Sequence, residues 1–148
     1  MSIDEKKIAD FLDAMPKIGD DKNFKSNLMV AFCRLMNRYR EILPINLEQY
    51  VELASAYWGR GEGSAQEIED ARVECWNFLD GKGHVTGIAS AEDAAVRALI
   101  CLLYHKSKDE DQVADTAEFF LASIRRIKAN DPCADEIIDQ LIGSWKKN

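Results

Sequence analysis

The stretch Ser90–His105, SAEDAAVRALICLLYH, constrains this chain more than any other. Ser90 with Asp93 three residues on is a capping-box pattern, Asp standing in for the usual Glu or Gln. At about 100° per residue, Ala91, Ala94, Ala95, Ala98, Cys101 and Leu102 fall on one face and Val96, Leu99, Ile100 and Leu103 on the opposite one. A helix that is apolar all round has to be covered all round, so the spacing predicts a buried central rod in an all-helical domain.

The rest of the chain supplies helices to surround it. Ser2-x-x-Glu5 starts one carrying Ile3, Ile8, Phe11, Leu12 and Met15, closed by Pro16 and Gly19. Asp21 caps a second that runs to about Leu43, with Phe24, Leu28, Ala31, Phe32, Leu35, Met36, Tyr39 and Ile42 inward, and Pro44 stops it. Asn46-x-x-Gln49 opens a third, with Leu47, Tyr50, Val51, Ala54, Tyr57 and Trp58 on one side. Ser64-x-x-Glu67 starts a fourth that reaches about Asp80, with Ile68, Cys75, Trp76 and Leu79 as its apolar face. The segment 81–89 reads as the longest loop, with Val85-Thr86 at most a short extended piece.

After the central helix and the polar turn 106–111, Val113, Ala117, Phe120, Leu121, Ile124 and Ile127 predict another helix. Asp131-Pro132 is an N-cap with proline at the first helical position, opening a last one with Ile137, Ile138, Leu141, Ile142 and Trp145. No strand alternation of useful length occurs. The expected architecture is all-α: a single domain over residues 1–148, a bundle of about seven helices around the buried helix 90–105. A chain this long can bury roughly two-thirds of its unfolded surface without a disulfide or metal staple.

The net charge of −7 is concentrated in residues 46–80 and 109–148. An acidic surface argues against nucleic-acid binding, which needs clustered Lys and Arg. It suits either simple solubility or a basic protein partner approached through complementary potentials. Cys33, Cys75, Cys101 and Cys133 are dispersed, with no CxxC spacing, and neither His84 nor His105 lies near a cysteine pair. They read as structural thiols of a reducing cytoplasm, with no metal site and no cofactor expected. The acidic, amphipathic N-terminus lacks the basic start and apolar core of a signal peptide, and no apolar run reaches membrane-spanning length.

Candidate chemistry is sparse. GRGEG (59–63) lies between helices and lacks a following GK[ST], so it reads as a helix–helix turn and not a phosphate loop. Its Arg60 and Glu62 are candidate partner contacts. Glu67, Asp70 and Glu74, at i, i+3 and i+7, form an acidic stripe opposite the apolar face of the fourth helix; it is either a solvated face or a docking stripe for a basic partner. Arg72 projects from the apolar face one turn before Trp76. Either its amphipathic stem lies on the core or stacks on the indole, or a buried guanidinium pairs with a carboxylate from another helix. Arg97 shares the polar edge of the central helix with Asp93 and Tyr104, and Asp93–Arg97 is a favourable i, i+4 pair. An enzyme or small-ligand site around Asp93, Arg97 and His84 would require a concave polar pocket. His105 reads as a helix C-terminal cation.

IEDARVECWNFLDGKG (68–83) followed by SAEDAAVRALICLLY (90–104) resembles small all-helical immunity proteins of bacterial polymorphic toxin systems. These carry a helix of the form AR-x-x-CW ending in a polar loop, then a second apolar helix. Ala71, Arg72, Cys75 and Trp76 make the match, which covers roughly a quarter of the chain and does not extend to the first 60 residues. The resemblance implies a non-enzymatic inhibitor that binds a cognate toxin and occludes its active site, with no defined contact residues to carry over. On that reading the acidic residues Glu67, Asp70 and Glu74, with Arg60 and Glu62, would meet a basic toxin surface. The alternative is a helical adaptor or regulatory module, possible as a homodimer, which an exposed apolar patch near Trp58 or Trp145 would favour.

Overall fold

The computed structural model describes residues 22–81, 90–104, 113–127, 136 and 139. The described residues are helical, with turns between the helices and no strand. Five α-helices follow in order: α1 (Lys22–Arg38), α2 (Ile45–Arg60), α3 (Ala65–Gly81), α4 (Ala91–Leu102) and α5 (Val113–Ile127). A 3-10 turn, Arg40–Ile42, joins α1 to α2. The helices expected at residues 2–15 and 132–145, the loop 81–89 beyond Gly81, both histidines, Cys133 and Trp145 lie outside the described residues.

The rod expected at 90–105 is α4. Ser90 caps it from an extended conformation, its Oγ accepting the Asp93 N–H at 3.1 Å. Asp93 to Val96 and Ala98 to Leu102 are all buried. Burial on both faces follows from its neighbours, because α4 packs against each of the other four described helices. From α1 come Leu28, Phe32, Leu35 and Met36; from α2, Leu47, Val51 and Ala54; from α3, Ile68, Ala71, Cys75 and Leu79; from α5, Ala117, Phe120 and Ile124. Each large apolar side chain taken from water contributes on the order of 1.5–3 kcal/mol. The Phe32 and Phe120 rings stack at 4.2 Å between centroids and tie α1 to α5.

A buried helix C-terminus leaves carbonyls that need donors. Two side chains from other helices meet that need at the end of α4. Trp58 of α2, itself buried, donates Nε1–H to the Leu102 carbonyl at 2.9 Å. Arg72 of α3 donates from Nη1 to the Leu103 carbonyl at 3.1 Å and lays its guanidinium 4.5 Å from the centre of the Tyr104 ring. Its positive charge also complements the negative end of the helix dipole.

Four sequence expectations change here. The helix through Leu35 and Met36 ends at Arg38, not near Leu43; the chain tightens into the 3-10 turn and Leu43 is already extended. The next helix begins at Ile45 and is capped by the Pro44 carbonyl, which accepts from both Leu47 and Glu48. Asn46 therefore lies inside the helix, and the Gln49 amide donates to its carbonyl at 3.0 Å instead of forming a capping box. Arg72 stacks on Tyr104 and not on the indole of Trp76, and bonds to a carbonyl of another helix rather than to that helix's carboxylate. Its nearest carboxylate among the described ion pairs is Glu69 of its own helix, at 3.9 Å. Trp76 is not part of the buried face of α3, which consists of Ile68, Ala71, Cys75 and Leu79; it is 38% exposed.

Candidate functional site

The turn into α3 is built by glycine conformation. Gly61 ends α2 in the left-handed region at φ 68°, and both its N–H and that of Glu62 point back to the Ala56 carbonyl. Gly63 is also left-handed, at φ 88°. Ser64 then caps α3: its Oγ accepts the Glu67 N–H at 3.1 Å and donates to Glu67 Oε1 at 3.3 Å. The loop is thus a helix–helix turn, as its glycine spacing implies.

The stripe Glu67, Asp70, Glu74 stands on the exposed side of α3. It spans about 10 Å along the axis at 1.5 Å per residue. Gln66 Nε2 donates to Asp70 Oδ1 at 2.8 Å, and the Tyr50 hydroxyl of α2 donates to Glu74 Oε2 at 2.5 Å. Burial and the Glu74 carboxylate push the Tyr50 phenol up to about 12. These partners are neutral, so no cation among the described residues compensates the three carboxylates.

Arg60 and Glu62 are arranged differently. Arg60 holds Glu52 at 2.8 Å and Glu62 at 3.3 Å, and these two carboxylates raise its already high pKa. The turn therefore presents an internally bridged triad with an excess negative charge, which extends the acidic surface instead of offering a cation. All five candidate contact residues are exposed.

The three described thiols are unsuited to nucleophilic work. Burial pushes Cys33, Cys75 and Cys101 each up to about 12, so they stay protonated at neutral pH. None of the three is in a disulfide. No cluster of three or more His, Cys, Asp or Glu side chains that could hold a metal occurs among the described residues. No helix among them is long and apolar enough to cross a membrane.

A feature absent from the sequence reading is a half-open groove of about 460 Å³ between α3, α4 and α5. Trp76, Tyr104 and Phe119 line it with Arg97, Ser123 and Arg126. Phe119 is 69% exposed. The Arg97 guanidinium lies 6.0 Å from the centre of the Trp76 ring. Arg97 and Tyr104 of the polar edge thus line a cavity that is mainly apolar, whereas Asp93 of that edge is buried. The available signal was Phe119, which falls off the 113/117/120/121/124 stripe of its helix, but an exposed phenylalanine by itself is ordinary. Trp58, which the sequence places on the apolar side of its helix, is buried, so it supplies no exposed patch itself.

A second, polar cavity of about 290 Å³ lies between α1 and α2 beside Cys33, Arg34 and Ser55. Arg40 at its margin is tied to Glu48 at 2.9 Å and to Asn37 at 3.2 Å.

The fold and surfaces define an all-helical molecule with an acidic flank and an apolar, arginine-lined groove. Comparison with protein-family models, with curated proteins and with solved structures returned no match.

Proposed function

We propose that this chain is a non-enzymatic protein-binding module of the immunity type, which neutralises a cognate bacterial toxin by covering its active site. The observation that carries this reading is the exposed stripe Glu67, Asp70 and Glu74 on α3, which no cation pairs among the described residues, extended by the Glu52–Arg60–Glu62 triad at the adjoining turn. Carboxylates held on a rigid helix raise the encounter rate with a basic surface, such as a nuclease groove, and set the register of docking. The resemblance of residues 68–83 and 90–104 to immunity proteins supports the same class of partner. An adaptor role is the alternative, favoured by the exposed aromatics Trp76 and Phe119 beside the groove.

The test is to express the product of the adjacent upstream reading frame with and without this chain. Rescue of growth and co-purification are expected. A triple variant, Glu67→Gln, Asp70→Asn and Glu74→Gln, keeps the α3 cap and the hydrogen-bonding shape while removing three charges. It is expected to fold like the parent and to associate about tenfold more slowly at low salt, with a flatter salt dependence. Absence of protection sinks the immunity reading. Protection with an unchanged association rate removes this stripe from the interface.

A further inference from the structure

We propose that the groove between α3, α4 and α5 binds a small amphipathic carboxylate, an anion with an apolar body of about ten carbons. The inference does not rest on the immunity reading. Trp76 lies about 200° around α3 from Glu74, so groove and acidic stripe occupy opposite flanks of that helix.

The size comes first. A volume of about 460 Å³ is within the range of small-ligand pockets. The lining supplies the body of the ligand with Trp76, Ile100, Tyr104, Phe119 and Ala122. Trp76 and Phe119 now show water 38% and 69% of their surface, so an apolar occupant would remove a sizeable exposed area.

The charge fixes the other end. In a chain of net charge −7, this groove has two arginines, Arg97 and Arg126, and no Asp or Glu among its described lining residues. Guanidinium groups offer a carboxylate two parallel N–H donors. Ser123 and Thr116 also line the groove and carry neutral hydroxyl donors. A second copy of the chain is the poorer occupant, because an isologous contact through this groove would set its arginines against their own equivalents.

The experiment is a calorimetric titration of the full chain with decanoate, with decan-1-ol as the uncharged comparator. Saturable binding of one decanoate per chain is expected at neutral pH, with the alcohol at least tenfold weaker, the discrimination of one charge-assisted contact. Arg126→Gln, on the exposed side of α5, is expected to weaken decanoate about fivefold. Ala122→Trp, also at an exposed position, is expected to fill the groove and abolish binding. Circular dichroism and urea unfolding confirm that both variants fold. The proposal is overturned if the alcohol binds as tightly as the acid. It also fails if Ala122→Trp binds decanoate like the parent, or if the parent shows no saturation with decanoate.

Discussion

Arg72 shows how much one side chain can do away from any active site. Its guanidinium bonds to the Leu103 carbonyl, covers the Tyr104 ring and remains only 13% exposed. Burial pushes the Tyr104 phenol up, and the Arg72 charge offsets only part of that rise. Arg72→Met retains the stem but strands the carbonyl at the end of the central helix. A loss of about 2 kcal/mol is expected in urea unfolding, from a charge-assisted hydrogen bond together with a cation–π contact. Arg72→Lys is expected to restore less than half of it, since an ammonium cannot lie flat on the ring while donating to the carbonyl. A loss under about 0.5 kcal/mol for Arg72→Met would show that the contact contributes no more than an exposed pair. The position looked anomalous in the sequence because a charge stood on an apolar stripe. Its partner lies 31 residues on, and spacing within α3 carries no information about it.

At the level of elements, the turns are decided by backbone conformation more than by contacts. Gly61 has no atom within 4 Å of where a Cβ would stand, but its φ of 68° is costly for any L side chain. Gly81 is equally uncrowded and is not among the positive-φ glycines. The two glycines should respond in opposite directions. Gly61→Ala is expected to destabilise by about 1 kcal/mol, and Gly81→Ala to stabilise by about 0.5 kcal/mol through the smaller entropy of the unfolded chain. Shifts of the same sign in thermal unfolding would contradict this. Element starts were readable where a side chain does the capping, as at Ser64 and Ser90, each of which accepts an N–H three residues on at 3.1 Å. They were misread at 44–49, where the Pro44 carbonyl opens the helix and the polar residues after it merely look like a cap.

For the whole molecule, the buried thiols link stability to alkaline pH. Cys33, Cys75 and Cys101 move from 9.0 to about 12 because burial favours the neutral form. Below about pH 9 folded and unfolded chains hold these protons alike, and the stabilisation is fully present. Above it the unfolded chain releases them first, binds fewer protons, and is favoured. The urea midpoint is therefore expected to be level near pH 8 and to fall steadily as the pH rises through 9 towards 12. Replacing Cys75 with Ala should make that fall shallower. A midpoint that stays constant to pH 11 would mean that these groups are not buried in solution.

The central helix, its serine cap, most of the inward faces of α1, α2 and α5, and the acidic stripe were legible in the sequence, although Met29, Cys33 and Ser123 are buried as well and Ala31 and Tyr50 only in part. Each is a local pattern, set by 3.6 residues per turn and by which side chains water excludes. What closes the end of α4 was not legible, nor was the exposure of Trp76 or the arginine-lined groove. These depend on how helices distant in sequence are set against one another. Periodicity says which face of a helix is buried, but only the tertiary arrangement decides which residues meet there and where neighbouring helices leave a gap.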